Sequence, residues 1–371
     1  MDAPVLVVGG GPVGATLGLL MPEALVVDAA EFPRDKACGE GLMPAGVAVL
    51  RAAGVDLAAE GFPAVGGVSY RLPSGASARA DFSTGTGFGT RRTRLDALLA
   101  ERCGVRQGIR VEGVTVHPEG VEVRTNTGTI STSILVAADG LRSPVARMMG
   151  WWRPSRGRPR YAMVGHLRAD PISSDIEVSL LGDVETYMAP VGDGEILFAV
   201  LGAKGQLRAE GLGGEQSYRA VLARAHPQLA ETPMSGRLRG AGPFNVRPAR
   251  VAGPRVFLVG DAAGFLDPLT GDAMTAGLEQ ALALALLLSA DREGAVERYQ
   301  SFWARQWRRR ALVSALARRL SGSPWLGRRA VAGIAHRPEA LQALMAVNEG
   351  SRGLSSIRAR DWAALLGLGG K

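Results

Sequence analysis

Cysteine and histidine are scarce in this 371-residue chain, and their scarcity removes several kinds of chemistry at the outset. The two cysteines, Cys38 and Cys103, make neither a disulfide framework nor a metal-ligand set, and a reducing cytoplasm is the compartment they suit. Four histidines, His117, His166, His226 and His336, lack metal-ligand spacing; they are expected to be structural or solvated, and no metal site is expected. Long hydrophobic runs are missing too. The longest, residues 281–290, falls short of the roughly 18–20 apolar residues that cross a bilayer, so no transmembrane helix is expected. The first apolar run, residues 5–8, is too short for a signal core and leads directly into a glycine loop, so no targeting segment is expected either.

What remains is 46% hydrophobic and 21% charged, the balance of an ordinary globular protein, and the length suits two or three domains. The formal charge is +8, unevenly spread. From Asp291 onward there are 15 Arg and Lys against 6 Asp and Glu, a balance of +9, which leaves the preceding chain at −1. A basic tail on a near-neutral body does not suit a nucleic-acid-binding protein, whose cationic surface would dominate it.

Two glycine-bearing loops carry the chemistry. Gly9-Gly10-Gly11-Pro12-Val13-Gly14 follows the apolar run Val5-Leu6-Val7-Val8, and Gly9, Gly11 and Gly14 have the spacing G-x-G-x-x-G. The first glycine permits a tight turn, the second lets the backbone approach a pyrophosphate, and the third lets helix and strand pack closely. The helix that follows, with Pro12 and Val13 at its start, offers unpaired N–H groups and a positive dipole end to phosphates. A strand over residues 24–28 ends at Asp28, whose carboxylate can accept hydrogen bonds from ribose hydroxyls. Only 19 positions separate Gly9 from Asp28, so the first helix is expected to be short.

The second loop is Gly260-Asp261-Ala262-Ala263-Gly264-Phe265-Leu266-Asp267-Pro268-Leu269-Thr270-Gly271-Asp272-Ala273-Met274. It follows an apolar strand at residues 256–259 and opens a helix near 271–275. Asp261 there can take a ribityl hydroxyl, and amides at the helix start can stabilise negative charge on a reduced flavin; a plain N-capping aspartate is the bland alternative. Two grips about 250 positions apart suit a long cofactor, and FAD is expected.

Between the grips lie a charged, glycine-rich loop at residues 32–42, a helix at 44–53, and strands within 65–88 around the turn Pro73-Ser74-Gly75. Arg91-Arg92-Thr93-Arg94-Leu95-Asp96 opens a helix with Leu95, Leu98, Leu99 and Cys103 on its apolar face. A β-meander follows at 111–116, 121–125 and 129–137. Short strands at 162–167, 176–181, 186–188 and 196–201, with one helix at 217–225, read as an inserted antiparallel sheet. Everything after Met274 is helical, broken near Pro324 and Pro338. The fold class predicted is α/β. A Rossmann-like FAD-binding domain spans 1–70, 90–155 and 251–290, an antiparallel β-sheet substrate domain spans 71–89 and 156–250, and a helical C-terminal region spans 291–371.

Four motifs in this order, the glycine loop, Arg92-Thr93-Arg94-Leu95, Ala138-Asp139-Gly140-Leu141-Arg142-Ser143 and the 260–274 loop, have a further implication. On them the chain resembles the flavoprotein superfamily of para-hydroxybenzoate-hydroxylase-like monooxygenases, halogenases and geranylgeranyl reductases, over roughly residues 3–350. The resemblance implies that Arg92 and Asp139 line the FAD site and that the main chain of Val111 lies near the adenine. It implies that Gly260 and Asp261 serve the ribityl or pyrophosphate region, while Gly271, Asp272, Ala273 and Met274 lie along the isoalloxazine after Pro268. The loop Asp35-Lys36-Ala37-Cys38-Gly39-Glu40-Gly41-Leu42 leans toward the geranylgeranyl-reductase-like branch, and Arg34, Lys36 and Gly39 are counted with the FAD contacts. Gly264 and Ala273 depart from the His and Gly of many hydroxylases. The halogenase reading is poor: Trp151-Trp152-Arg153-Pro154 lacks the Trp-x-Trp-x-x-Pro spacing, and none of Lys36, Lys204 and Lys371 matches the active-site lysine.

The function expected is that of an FAD-dependent monooxygenase. It would hydroxylate a small phenolic or quinone-type aromatic or hydrophobic molecule of secondary metabolism with O₂, through a flavin C4a-hydroperoxide. The alternative is reduction of isoprenoid carbon–carbon double bonds, with Cys38 as proton donor. Cys38 reads more readily as a small buried residue fitting a tight flavin-side loop. No second glycine fingerprint marks a nicotinamide site, yet NAD(P)H is expected as electron donor, because members of this superfamily take hydride through a transient pose beside the flavin. Trp303, Trp307, Leu312, Leu316 and Leu320 among Arg305, Arg308, Arg309, Arg310, Arg318 and Arg319 describe a basic amphipathic helix. It suits peripheral membrane contact or packing on its own protein.

Overall fold

A computed structural model describes residues 2–154, 157–207 and 214–368 of the chain. The N-terminal run Asp2–Val8 lies mid-sheet, parallel to Ala24–Val27 on one side and to Gly128–Ala137 on the other. Val256–Leu258 extends the sheet in parallel beyond Gly128–Ala137, which brings the two glycine loops to the same end of the sheet, on strands separated by one. Parallel strands covered on both faces need apolar side chains on both, hence their unbroken hydrophobic runs. Val111–Val116 and Val121–Thr125 add the antiparallel meander, and Ala252–Gly253, antiparallel to Val256–Leu258, completes seven strands. Helices Pro12–Leu20, Arg92–Cys103 and Ala273–Ala290 share one core with this sheet, with Leu6, Leu17, Leu95, Leu99, Leu135 and Leu278 fully buried. The first helix has only 9 residues, in keeping with the short crossover.

A second seven-stranded sheet runs in the order Arg239–Ala241, Arg160–Arg168, Glu195–Ala203, Glu185–Gly192, Ile176–Leu180, Gly67–Arg71, Ser77–Asp81. Strand Glu195–Ala203 feeds two clusters. Ile196, Phe198 and Val200 pack with Tyr218 and Leu222 of helix Gly214–Ala225, whereas Leu197, Ala199 and Leu201 join Tyr187 and Phe244 on the opposite face. The period of two along a strand divides one continuous apolar run between two faces.

Two expected cuts do not follow sheet membership. Gly67–Arg71 belongs to the second sheet, because Val68 and Tyr70 pair in register with Ile176 and Val178. Gly87–Gly89 leaves that sheet and forms a three-stranded one with Gly41–Leu42 and Ala64–Val65. The expected boundary between residues 155 and 156 lies outside the described residues.

Helices Ala295–Ser321, Pro324–His336, Pro338–Glu349 and Ala359–Leu365 follow, with Pro324 and Pro338 at helix starts, where a missing N–H costs nothing. Val331, Ile334, Leu341 and Leu344 bury themselves against Ala78 and Ala80, so these helices cover one edge of the second sheet. By length and composition the 18-residue helix Ala273–Ala290, with mean hydropathy 1.5, is long and apolar enough to cross a bilayer. The expectation from residues 281–290 alone is therefore corrected, since apolar residues continue N-terminally through the turn that opens the helix. In this fold it is a core helix: it packs on Pro12–Leu20 and Pro44–Ala52 and buries Thr275, Leu278, Gln280 and Leu284.

Candidate active site

The glycine loop divides its work as the spacing predicts. Gly9 has φ +109°, and a Cβ there would stand 2.4 Å from the Ala138 carbonyl oxygen. A Cβ at Gly14 would lie 1.8 Å from the Gly9 carbonyl oxygen, so this glycine seats the helix on the turn. Gly11 differs: the nearest atom to a Cβ there is Arg34 Nη2, at 3.1 Å. Its backbone faces a cavity, and two guanidinium groups stand around it. The fully buried Asp96 accepts 2.7 and 2.8 Å bonds from Arg92 and stands 3.5 Å from Arg34 Nε. Burial works against the charge on Arg92, but Asp96 outweighs it and holds the pKa above its ordinary value. Asp28 accepts from the Gly10 and Ala30 N–H groups at 2.7 and 2.8 Å and lies 3.4 Å from Arg34 Nη2.

A cavity of about 480 Å³ joins this loop to the second sheet. Of the residues singled out in the sequence, Gly9, Gly11, Pro12, Val13, Asp28, Arg34, Lys36, Cys38, Gly39, Arg92, Val111 and Asp139 line it. So do Gly260, Asp261, Pro268, Gly271, Asp272, Ala273 and Met274. Gly14 does not; it lies against Gly9, on the protein side of the turn. Among the described residues Asp139 Oδ1 and the Tyr187 hydroxyl are buried here without a hydrogen-bond partner, as groups awaiting a polar ligand would be, and Arg34 Nε has only its 3.5 Å ion pair to Asp96. Burial pushes the Asp139 carboxyl up to about 6, against bonds from Ser143 and the Val145 N–H. Burial, joined by Arg92, pushes Lys36 down, while Asp261 acts in the other direction. The orphaned polar atoms, the open backbone at Gly11 and the cationic surround together fit FAD.

The 260–274 loop is fixed from three sides. The Gly260 N–H donates to Gln280 Oε1 at 2.8 Å. Asp267 accepts a 3.0 Å bond from Arg160, which also pairs with Glu185 of the second sheet. The Asp272 carboxylate is engaged by Arg310 at 3.0 Å, by Thr270 at 2.8 Å and by Asn348, so this residue can offer the cavity little beyond its main chain. Arg310, buried between Asp272 and Glu279, ties this loop to the C-terminal helices, and there the basic helix packs on its own protein.

Three features escape the sequence reading. Tyr187, from strand Glu185–Gly192, packs its ring on Gly39, Gly41 and Gly271, where any Cβ would collide or crowd it; burial raises its pKa, so the phenol stays protonated. Cys38 lies within electrostatic reach of both Tyr187 and Arg92. Behind it, Glu40 is 1% exposed with φ +55°, and its carboxylate meets His166 Nε2 at 2.8 Å and the Arg92 N–H at 2.9 Å. His166 is thus a buried partner of the flavin-side loop. His226 is buried beside Phe198 and 3.2 Å from Glu177, and burial with Arg71 pushes it down to about 4, a structural place. The Arg92–Asp96 clamp has the i,i+4 spacing of a helical ion pair, whereas nothing local announces a contact between residues 40 and 166. Cys103 packs against Gly18, and burial pushes its thiol up to about 11.

A family model described as an FAD binding domain matches residues 2–301. The menaquinone reductase of Mycolicibacterium smegmatis is 32% identical over 335 residues, 81% of this chain and 79% of that protein. The aurachin C monooxygenase/isomerase of Stigmatella aurantiaca is 29% identical, covering 80% of this chain and 84% of that protein. The crystal structure of a flavoprotein/dehydrogenase from Cytophaga hutchinsonii shares the fold, with a TM-score of 0.83 over 94% of this chain and 93% of that one at 19% identity. The chain belongs to the FAD binding domain family and is an FAD-dependent oxidoreductase of the superfamily of para-hydroxybenzoate-hydroxylase-like monooxygenases, halogenases and geranylgeranyl reductases.

Proposed function

We propose that this oxidoreductase is a monooxygenase that hydroxylates a phenolic or quinone-type ring bearing an apolar substituent. The observation that carries the reading is the form of the cavity at the second sheet. Phe244 and Phe265 stack with centroids 5.0 Å apart and 26° between planes. Beside them, Ala162 pairs in register with Ala241 and Leu201, and Val164 with Ala199. Small side chains on one sheet face leave a slot, and the stacked rings give it an aromatic wall; all seven residues line the cavity. None of these seven is ionisable, so a flat, uncharged ring suits the slot and water gains little there.

Bound FAD supplies two-electron redox chemistry and, when reduced, the activation of O₂; NAD(P)H is the proposed electron donor. In this reading the Gly11 backbone, the helix start at Pro12-Val13, Arg34 and Arg92 hold the pyrophosphate, and Asp28 with the Val111 main chain holds the adenosine end. Gly260 and Asp261 take the ribityl chain, and the main chain of 271–274 follows the ring. Tyr187, protonated and unpaired, donates a hydrogen bond to a ring carbonyl or phenolate oxygen and orients the substrate.

A second reading, reduction of an isoprenoid double bond, is favoured by the protic pair of Cys38 and Tyr187 at the cofactor loop. One experiment separates the two. FAD-loaded protein, NADPH and a panel of alkylphenols and prenylated quinones in air should give a product that has gained one oxygen atom. A product that has gained only two hydrogens, on carbon in its side chain rather than on the quinone oxygens, would replace the first reading by the second.

A further inference from the structure

A second cavity, of about 520 Å³, lies behind the wall of the first. The wall is a short antiparallel ladder in which Val246 and Phe265 exchange two 2.8 Å backbone bonds. Alternate residues face opposite ways: Phe244 and Phe265 line the first cavity, Asn245 and Leu266 the second. The far side of the second cavity is a stripe of helix Ala295–Ser321. On it Trp303 and Trp307 stack at 5.2 Å, and Arg247 lies over both rings at 5.5 and 5.7 Å.

The charge of this cavity is one-sided. Arg153, Arg247, Arg250 and Arg318 line it, and no acidic side chain does among the described residues. Among the described residues none of the four has an ion-pair partner; Arg153 donates to the carbonyls of Gly150 and Trp152. The same helix pairs its buried Arg310 with both Asp272 and Glu279, so carboxylate partners are provided where the fold itself needs them. Four like charges around one hollow repel one another, and an anion relieves that repulsion. Guanidinium groups match phosphate in a planar, bidentate fashion, and the tryptophan floor excludes water from one side of the contact.

We propose that this cavity binds a phosphate-bearing anion. The shared chemistry is a phosphate held by Arg247 and Arg318, and it has two sources, a soluble nucleotide or an anionic lipid headgroup. The ladder stands between the two cavities, so a ligand here acts as an anchor or an effector rather than as a hydride donor. The proposal is independent of which reaction the first cavity carries out.

The test uses FAD-loaded protein, so that the glycine loop is already filled. Pyrophosphate and NADP⁺ are titrated by calorimetry and by tryptophan fluorescence, and phosphatidylglycerol vesicles are compared with phosphatidylcholine vesicles by sedimentation. At least one of these probes should bind saturably, and the pair Arg247→Gln with Arg318→Gln should weaken it at least about tenfold while FAD content stays unchanged. Tighter binding of NADP⁺ than of pyrophosphate, with no vesicle binding, assigns a soluble nucleotide. Binding of phosphatidylglycerol vesicles that the paired variant loses assigns a lipid headgroup. No saturable binding of any probe, or equal binding by the paired variant, overturns the proposal.

Discussion

Gly11 and Gly14 lie three residues apart in one loop, yet the structure assigns them opposite kinds of importance, and alanine at each should separate fold from cofactor. At Gly14 the new Cβ would stand 1.8 Å from the Gly9 carbonyl oxygen, where real contacts do not fall below 3.0 Å. The helix must retreat by the difference, about 1.2 Å, from the sheet it covers. Overpacking of this kind costs about 3 kcal/mol or more. At Gly11 the only close atom is the end of the flexible Arg34 side chain, and the loss of a glycine cap is offset by a stiffer unfolded chain. FAD-free Gly11→Ala should therefore keep its stability within about 1 kcal/mol in urea unfolding. Its methyl group would stand where a pyrophosphate approaches the backbone, so its FAD affinity, read by flavin fluorescence, should fall about a hundredfold, near 3 kcal/mol. Wild-type FAD affinity in Gly11→Ala, or a stability loss equal to that of Gly14→Ala, would refute the assignment.

Asp139 gives the free protein a pH signature. Its folded pKa, about 6, lies above the ordinary 3.8, so its contribution to stability is fully present below that lower value and is lost as pH rises through the upper one. The loss amounts to at most about 3 kcal/mol, less where solvent enters the cavity, and Asp139→Asn should flatten this part of the pH–stability curve. An unchanged slope would mean that Asp139 titrates normally. Tyr187→Phe removes an unpaired hydroxyl, so unfolding free energy should change by less than about 1 kcal/mol while turnover falls about tenfold or more. Arg160→Met leaves Asp267 and Glu185 buried without their cation and should cost about 3–5 kcal/mol in urea unfolding, with loss of FAD.

The sequence made the parallel core legible because its signals are local. An apolar strand, a glycine turn and an acidic strand end occupy residues 5–28, and a second apolar strand leads into Gly260-Asp261. Most of the second sheet was equally readable from alternation and turns. Gly67–Arg71 was not assigned there, because its partner Ile176–Leu180 is more than a hundred positions away and nothing local distinguishes the two sheets. The residues that line the first cavity were legible as motif positions. The parts that fix them, Glu40 with His166, Asp267 with Arg160 and Asp272 with Arg310 and Asn348, are pairs brought together by tertiary packing, and each member alone reads as an ordinary polar residue. Tyr187 was hidden in an apolar run, its role visible only when three glycines from distant loops were seen to make room for its ring.

The central claim is hydroxylation of a ring held between the Phe244–Phe265 stack and the alanine face of the second sheet. Its most direct test is turnover of FAD-loaded protein with an alkylphenol or prenylated quinone under dioxygen enriched in the heavy isotope, followed by mass spectrometry of the product. The account predicts one labelled oxygen atom on the ring, lost together with turnover when Ala199→Phe fills the slot. A product that carries no label and has gained two hydrogens in its side chain would contradict it.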